Sequence, residues 1–313
     1  MSILNAPYFR DEEAAFSKLE SCLWPDGPEC PHCGVVKDAS KIPANPDKKV
    51  RYGLWRCNAC SKQFSVTVGT VFESSHIPVH KWLQAAFLLN SSKKGISAKQ
   101  IERTLQITYK SAWFMMHRLR EAMAEGRLNP FGLGGGAVEA DEVFLTRLRR
   151  RKSDGNLNRR DLHKTKVLTL IDRETKQARS TVIPNLKQET IMKVVNANVS
   201  REARMMTDQA RYYMNAFRDF GGHETVDHSK EEYVRGDVTT NRAEGYFSLF
   251  KKGMRGIYQH CDEKHLHRYL AEFDFRYNNR EALGVDDSRR TERALKGAKG
   301  KRLMYRDSFG TAV

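Results

Sequence analysis

The sequence predicts a multidomain α+β protein. Three observations carry this: two CxxC pairs near the start, three helical segments after them, and, past a Gly-rich break, a run of interleaved strands and helices. With 313 residues, 40% of them hydrophobic and 10% aromatic, the chain has material for two or three cores. Its 54 Lys and Arg against 38 Asp and Glu leave a formal charge of +16. That excess attracts polyanions, nucleic acid foremost, because each cation set on a phosphate releases condensed counterions. No stretch approaches the roughly 20 apolar residues that a bilayer requires. The N-terminus, MSILNAPYFRDEE, lacks a basic start followed by an apolar run. The expectation is a cytoplasmic, nucleoid-associated protein with no membrane partner.

Residues 1–75 read as a zinc ribbon behind a short helix, 11–22. Four of the six cysteines form Cys30-Pro-His-Cys33 and Cys57-Asn-Ala-Cys60, while Cys22 and Cys261 stand alone. Two such turns can each give two thiolates to one tetrahedral, structural Zn²⁺, and such an ion can fold a module too small to hold together by its own core. Disulfides would need an oxidising compartment, to which nothing at the N-terminus points. His32 lies within the first pair, but four sulfurs already complete the shell. The alternating, β-branched run Gln63 to Phe72 predicts a strand.

Residues 76–130 read as a helical DNA-binding module. Val79 to Asn90 predicts a helix burying Trp82, Phe87 and Leu88. Ser97 caps a second helix carrying Ile101 and Leu105, and Tyr109 to Ala124 forms a third. The short Ile107-Thr108 connection suits a helix-turn-helix, whose second helix would present Tyr109, Lys110, His117 and Arg118 to a DNA groove. NPFGLGGG, residues 129–136, is the breaker cluster that ends the module.

Residues 131–282 predict a mixed sheet with helices packed on it, the element order of a ribonuclease-H-like domain. Strands are expected over 137–146, 166–172, 178–183, 204–207 and 224–227. Helices are expected over 188–198, 212–220, 240–254 and 263–279. In such a sheet, carboxylates at strand ends and on a facing helix can converge on two divalent ions. In Glu139-Ala140-Asp141-Glu142, alternation sets Glu139 and Asp141 on one face and Glu142 on the other, so one parity serves the site, and Asp141 is the choice. Asp208 ends the short strand Met205-Met206-Thr207, with an N-cap of the next helix as its structural alternative. On the helix from Asn241, projection at 100° per residue gathers Ala243, Tyr246, Phe247 and Phe250 on one side and Asn241, Glu244, Ser248 and Lys251 on the other.

Seven segments in order, CPHCG, WRCNAC with FSVTVGTVF, SAWFMMHRLREAM, VEADEVF, MTDQARYY, TTNRAEGYFSLFKKGMRGIY and HRYLAEFDFRYNNR, give a resemblance over nearly the whole chain. It resembles the zinc-ribbon group of DDE-type insertion-sequence transposases, with their integrase-like catalytic domain. The resemblance implies that Asp141 and Asp208 are the two metal-binding aspartates, that Glu244 or Asn241 is the third residue, and that Lys251 is the basic residue after it. Glu139 is left as a supporting residue behind them. The group often has His where this chain has Thr240, which leaves a histidine role there open; His228 is a candidate to orient phosphate.

The chemistry implied is two-metal hydrolysis and transesterification with Mg²⁺ or Mn²⁺. Element ends in double-stranded DNA would be cut and the freed 3′-OH joined to target DNA. Synapsis of two terminal inverted repeats implies a homodimer or larger assembly. Arg147 to Lys166, with nine Lys and Arg against two Asp, is expected to be a basic loop along DNA, and residues 283–313 a basic C-terminal tail. Two other classes compete. One is a zinc-ribbon, helix-turn-helix regulator whose ribonuclease-H-like domain is inactive. The other is a tyrosine recombinase, for which Tyr233 before Arg235 is too thin a constellation.

Overall fold

The computed structural model describes residues 3–126, 129–148, 162–210, 212–213, 216–227, 234–259 and 261–304. It divides into two compact units, one formed by residues 1–125 with 279–313 and the other by 126–278. Most of the Arg147–Lys166 segment, His228, Tyr233 and the last nine residues lie outside the described residues.

The first unit starts with α1 (Glu12–Leu23), capped by Asp11, whose Oδ2 accepts from the Ala14 N–H at 2.7 Å. The strands β1 (Ala39–Ile42), β2 (Leu54–Cys57) and β3 (Gln63–Phe64) form an antiparallel sheet in that order. The strand expected to reach Phe72 stops at Phe64. From Ser65 the chain closes turns instead: Val68 N–H donates to Ser65 O, Thr70 N–H to Thr67 O and Glu73 N–H to Thr70 O. Trp24, Trp55 and Phe64 pack around the cysteines, with Trp24 edge-on to both rings.

Helices α2 (Val79–Ser91), α3 (Ala98–Leu105) and α4 (Tyr109–Met123) follow. Helix α2 buries Trp82, Leu83, Ala85, Ala86 and Leu89, whereas Phe87 and Leu88, expected inside, are half-buried. Its local cap, Pro78, offers no side-chain acceptor. The carboxylate of Glu12 serves instead, accepting from the Val79 N–H at 2.7 Å and the His80 N–H at 3.2 Å. Ser97 and Thr108 cap α3 and α4, and Gln106, in the left-handed conformation, turns the chain between them. Tyr109 and Lys110 are exposed, but His117 and Arg118 are buried and so present nothing to a groove. Arg118 spends its donors on the carbonyls of Leu303 and Glu73.

The expected basic tail is also different. Asp287–Lys296 forms a helix, α8, that buries Thr291, Ala294 and Leu295 and completes the first unit. Arg290 is buried and donates to the carbonyls of Asn90, Asn279 and Val285. The periodic apolar positions of this segment, masked by its charge, decide its fate.

The second unit holds a five-stranded sheet in the order β6 (Ala178–Ile183), β5 (Leu162–Asp172), β4 (Ala137–Leu148), β7 (Arg204–Asp208), β8 (Gly222–Val226). The first three are antiparallel, and β4, β7 and β8 are parallel to one another. One face packs Val138, Ala140, Leu168 and Leu170 against Ile191 and Val195 of α5 (Gln188–Asn198), with Tyr213 and Phe217. The other packs Val143, Val167 and Ile171 against α6 (Asn241–Gly253) and α7 (Glu263–Asn278), through Tyr246, Phe250, Leu270 and Phe273. The helix expected over 212–220 is, in its described residues, a series of turns closed by Tyr213 N–H to Ala210 O and Phe220 N–H to Phe217 O. Gly132, at φ 67°, turns the chain into β4 where a Cβ would lie 2.3 Å from that of Ala203. Among the described residues, no helix is long and apolar enough to cross a membrane.

Candidate active site

Two sets of side chains among the described residues bring ligand atoms within 4.8 Å of one another: Cys30, Cys33, Cys57 and Cys60, and Asp141, Glu142 and Asp208.

The cysteine set is built from two turns held by the small sheet. Sγ of Cys30 lies 3.7 Å from that of Cys60, and Sγ of Cys33 lies 3.6 Å from that of Cys57. A tetrahedron with Zn–S bonds of about 2.3 Å has edges of about 3.8 Å, so the sulfurs already stand at the spacing this ion imposes. Cys30 and Cys57 are buried and Cys33 is exposed. Burial resists the Cys30 thiolate, but backbone N–H groups at His32 and Cys33 and the neighbouring thiols bring it to about 6. Cys33 receives help from the Val35 N–H, yet burial and the other three sulfurs push it up to about 12. Four thiols in one place cannot all ionise without a cation.

The carboxylate set arises where two strands part. Parallel pairing of β4 with β7 ends at Glu139 opposite Met206, and two residues beyond that on each strand stand Asp141 and Asp208, the latter at the end of β7. The unpaired edge of β4 leaves room for both side chains. Glu142, set apart by parity, joins the cluster: it lies within β4, still paired with β5, but beyond the last residue paired with β7, where its longer side chain reaches the same ligand group. Tyr213, fully buried, donates its O–H to Glu142 Oε2 at 2.7 Å. The Glu142 N–H donates to Asp141 Oδ1 at 2.7 Å, and Asp208 Oδ1 accepts from the Ala210 N–H at 3.2 Å. Asp208 thus also closes a local turn.

Burial, then the charges of Asp208 and Glu244, raise Asp141 to about 7, against the relief given by the Glu142 N–H and by Lys251. Burial and the charges of Asp208 and Asp141 raise Glu142 to about 8 despite the Tyr213 hydrogen bond. These influences also locate the helix: Glu244 and Lys251 of α6 are close enough to act on Asp141. Asn241 stands one turn before Glu244, exposed, its N–H donated to Thr239 Oγ1 at 3.1 Å.

Glu139, on the Asp141 face of β4, is wholly buried and serves α6. Its Oε2 accepts from the N–H groups of Arg242 at 3.1 Å and Ala243 at 3.2 Å, and its Oε1 faces Arg173 Nε at 3.3 Å. The cluster brings Asp141 and Asp208 together, Asp208 at the end of β7 and Asp141 within β4. Strand alternation sets Glu142 apart and gives Tyr213 no part; the signal available was a third carboxylate adjoining Asp141.

Comparisons with known proteins find transposase domains in both regions. Residues 133–278 match the model for an ISXO2-like transposase domain, and residues 10–63 match a transposase zinc-ribbon domain. A protein described as an uncharacterized protein in transposable element ISH50, from Halobacterium salinarum, is 27% identical over 290 residues, covering 86% of this chain and 91% of that one. A cryoEM structure of a simian T-cell lymphotropic virus intasome, in complex with PP2A regulatory subunit B56 gamma, shows 9% identity at a TM-score of 0.29. The match covers 62% of this chain and 65% of that chain, a likeness too slight to bear on the fold.

Proposed function

We propose, for a chain that belongs to the ISXO2-like transposases and carries their zinc-ribbon domain, that it cuts the ends of an insertion sequence and joins them to target DNA. The observation that carries this reading is the convergence of Asp141, Glu142 and Asp208 at the parting of β4 and β7, with Glu244 and Lys251 acting on Asp141 from α6. Three carboxylates and a fourth nearby make a donor set suited to hard, oxygen-seeking cations, Mg²⁺ or Mn²⁺. A pair of such ions would supply an activated attacking oxygen and a stabilised leaving oxygen.

The chain's own groups divide the remaining work. Asp141 and Asp208 would hold the ions from adjacent strands. Glu244, whose charge acts on Asp141, would close the set from α6, with Asn241 one turn earlier on the same helix. Lys251, two turns beyond Glu244, sets its ammonium beside the carboxylates to hold a backbone phosphate and keep the scissile bond in line. Glu142 stiffens the notch through its bond to Tyr213. The ribbon cysteines hold one Zn²⁺. The ribbon and α4, with Tyr109 and Lys110 outward, bind the terminal inverted repeats in double-stranded DNA. Two or more copies synapse the two element ends at the nucleoid.

The test is a cleavage and strand-transfer assay on a supercoiled plasmid carrying the element's ends, with Mg²⁺ or Mn²⁺, for wild type and Asp208→Ala. Wild type nicks and joins, while D208A binds the ends and does neither. Absence of chemistry from a wild-type protein that binds the ends would instead favour a DNA-binding regulator.

A further inference from the structure

We infer that Glu139 is a positioning residue: it locks the first turn of α6, and with it Asn241 and Glu244, onto the strand that carries Asp141. The inference rests on the metal-site reading above and deepens it.

A helix begins with four N–H groups that have no partner within the helix. In α6 three of them find partners outside the helix ladder: Asn241 donates to Thr239 Oγ1, and Arg242 and Ala243 both donate to Glu139 Oε2, after which Glu244 N–H makes the first bond of the helix itself, to the Thr240 carbonyl at 3.0 Å. Thr240, at the local cap position, makes no side-chain cap bond. The cap is supplied from the sheet, 103 residues earlier in the chain.

The other carboxylate oxygen closes the structure. Arg173 pairs with Glu139 Oε1, takes its own place by donating its N–H to the Ala137 carbonyl of β4 at 2.9 Å, and accepts on its carbonyl from Arg242 Nη1 at 2.8 Å. Strand, helix and the end of β5 are therefore tied at one buried carboxylate. One oxygen takes two backbone N–H groups and the other faces the Arg173 guanidinium as an ion pair, so Glu139 acts as a support. Two residues along β4 is about 6.6 Å, which makes the clamp a near neighbour of Asp141. A shift of the α6 start carries Glu244 with it. Gln would keep one acceptor for the two N–H groups but would turn an amide donor toward Arg173, so the chemistry asks for a carboxylate.

The experiment uses the full chain as wild type, E139Q, E139A and D208A, with two readouts: amide hydrogen exchange across 241–244 and Mn²⁺ binding followed by EPR. In E139A, protection at Arg242 and Ala243 falls at least tenfold and the Mn²⁺ dissociation constant rises about 10- to 100-fold, the range typical of lost support behind a metal ligand. E139Q falls between, with the cap retained and the ion pair lost. D208A weakens Mn²⁺ without touching exchange at α6. Should E139A fail to fold, E139Q against wild type decides by the same two readouts. Unchanged exchange or unchanged Mn²⁺ affinity in a folded variant overturns the inference alone. A wild-type chain that binds no Mn²⁺ overturns the metal-site reading and the inference together.

Discussion

The cysteine cluster and the carboxylate notch each gather like-charged ligand groups, yet they are built in opposite ways. The ribbon draws its four sulfurs from two turns, residues 30–33 and 57–60, joined by a three-stranded sheet, and aromatic rings close around them. The notch draws its oxygens from residues 141, 142 and 208, with 244 acting from a helix, and lies open where a strand pair parts. A closed set of soft donors serves to hold a small module together. An open set of like charges costs stability until cations and substrate arrive, which is the usual trade between a working site and a stable one.

The largest effect that would sharpen this contrast is Cys57→Ala. Cys57 is fully buried, and apparent binding free energies of about 10–16 kcal/mol for structural zinc are folding free energy in small modules. The variant is expected to lose its zinc, about one ion per chain by metal analysis under reducing conditions, and with it the cooperative melting of the ribbon by circular dichroism. Asp208→Ala should do the reverse: abolish cleavage, yet leave the metal-free melting temperature equal to or above wild type, because a like charge beside Asp141 and Glu142 is gone. A D208A protein that melts well below wild type would break the contrast.

The same contrast governs what could be read in the sequence. CxxC spacing is local, so the cysteine turns, the capped helices after Ser97 and Thr108, and spans such as Ala178–Ile183 and Gln188–Asn198 follow from short-range pattern. The proximity of Asp141 and Asp208 follows from two local features, alternation along β4 and the end of β7. That of Glu142 does not, since alternation sets it on the opposite face of β4 and its side chain reaches the cluster past the point where β7 pairing stops. Nor was α8 legible as part of the first unit, because Arg290 is held by carbonyls at residues 90, 279 and 285 that no local pattern connects. The burial of Arg118 is the same kind of event: charge read as surface, but spent on carbonyls of Glu73 and Leu303.

Next in size is a pH effect confined to the notch. The folded Asp141 carboxyl, at about 7, sits above its ordinary 3.8, so the folded chain holds this proton more tightly than the unfolded one. Its contribution to metal-free stability is therefore greatest below pH 4 and declines as pH rises through 7. A divalent cation must displace that proton, so its affinity climbs over the same interval. Each pH unit below the pKa weakens binding about tenfold, or about 1.4 kcal/mol. Saturating Mg²⁺ at a fixed concentration should then raise the melting temperature about 3–5 °C more at pH 8 than at pH 6. Scanning calorimetry of wild type and D208A checks this, and D208A should show little of the difference.

The smallest effect tests whether Glu142 belongs to the notch or only borders it. Tyr213→Phe keeps the ring stacked on Phe217 and deletes one hydroxyl, whose hydrogen bond to Glu142 Oε2 is worth about 1–2 kcal/mol because the acceptor is ionised when a cation is held. Two outcomes separate. If Glu142 shares in holding the cation, losing this orienting donor should weaken Mn²⁺ by about 3- to 10-fold with the fold intact, and Glu142→Gln should weaken it further. If Glu142 is only a neighbour, Y213F should leave Mn²⁺ affinity unchanged while shifting stability by a similar small amount. In that case the working set is Asp141 and Asp208 with the α6 residue, and the strand-parity argument that set Glu142 aside regains its force.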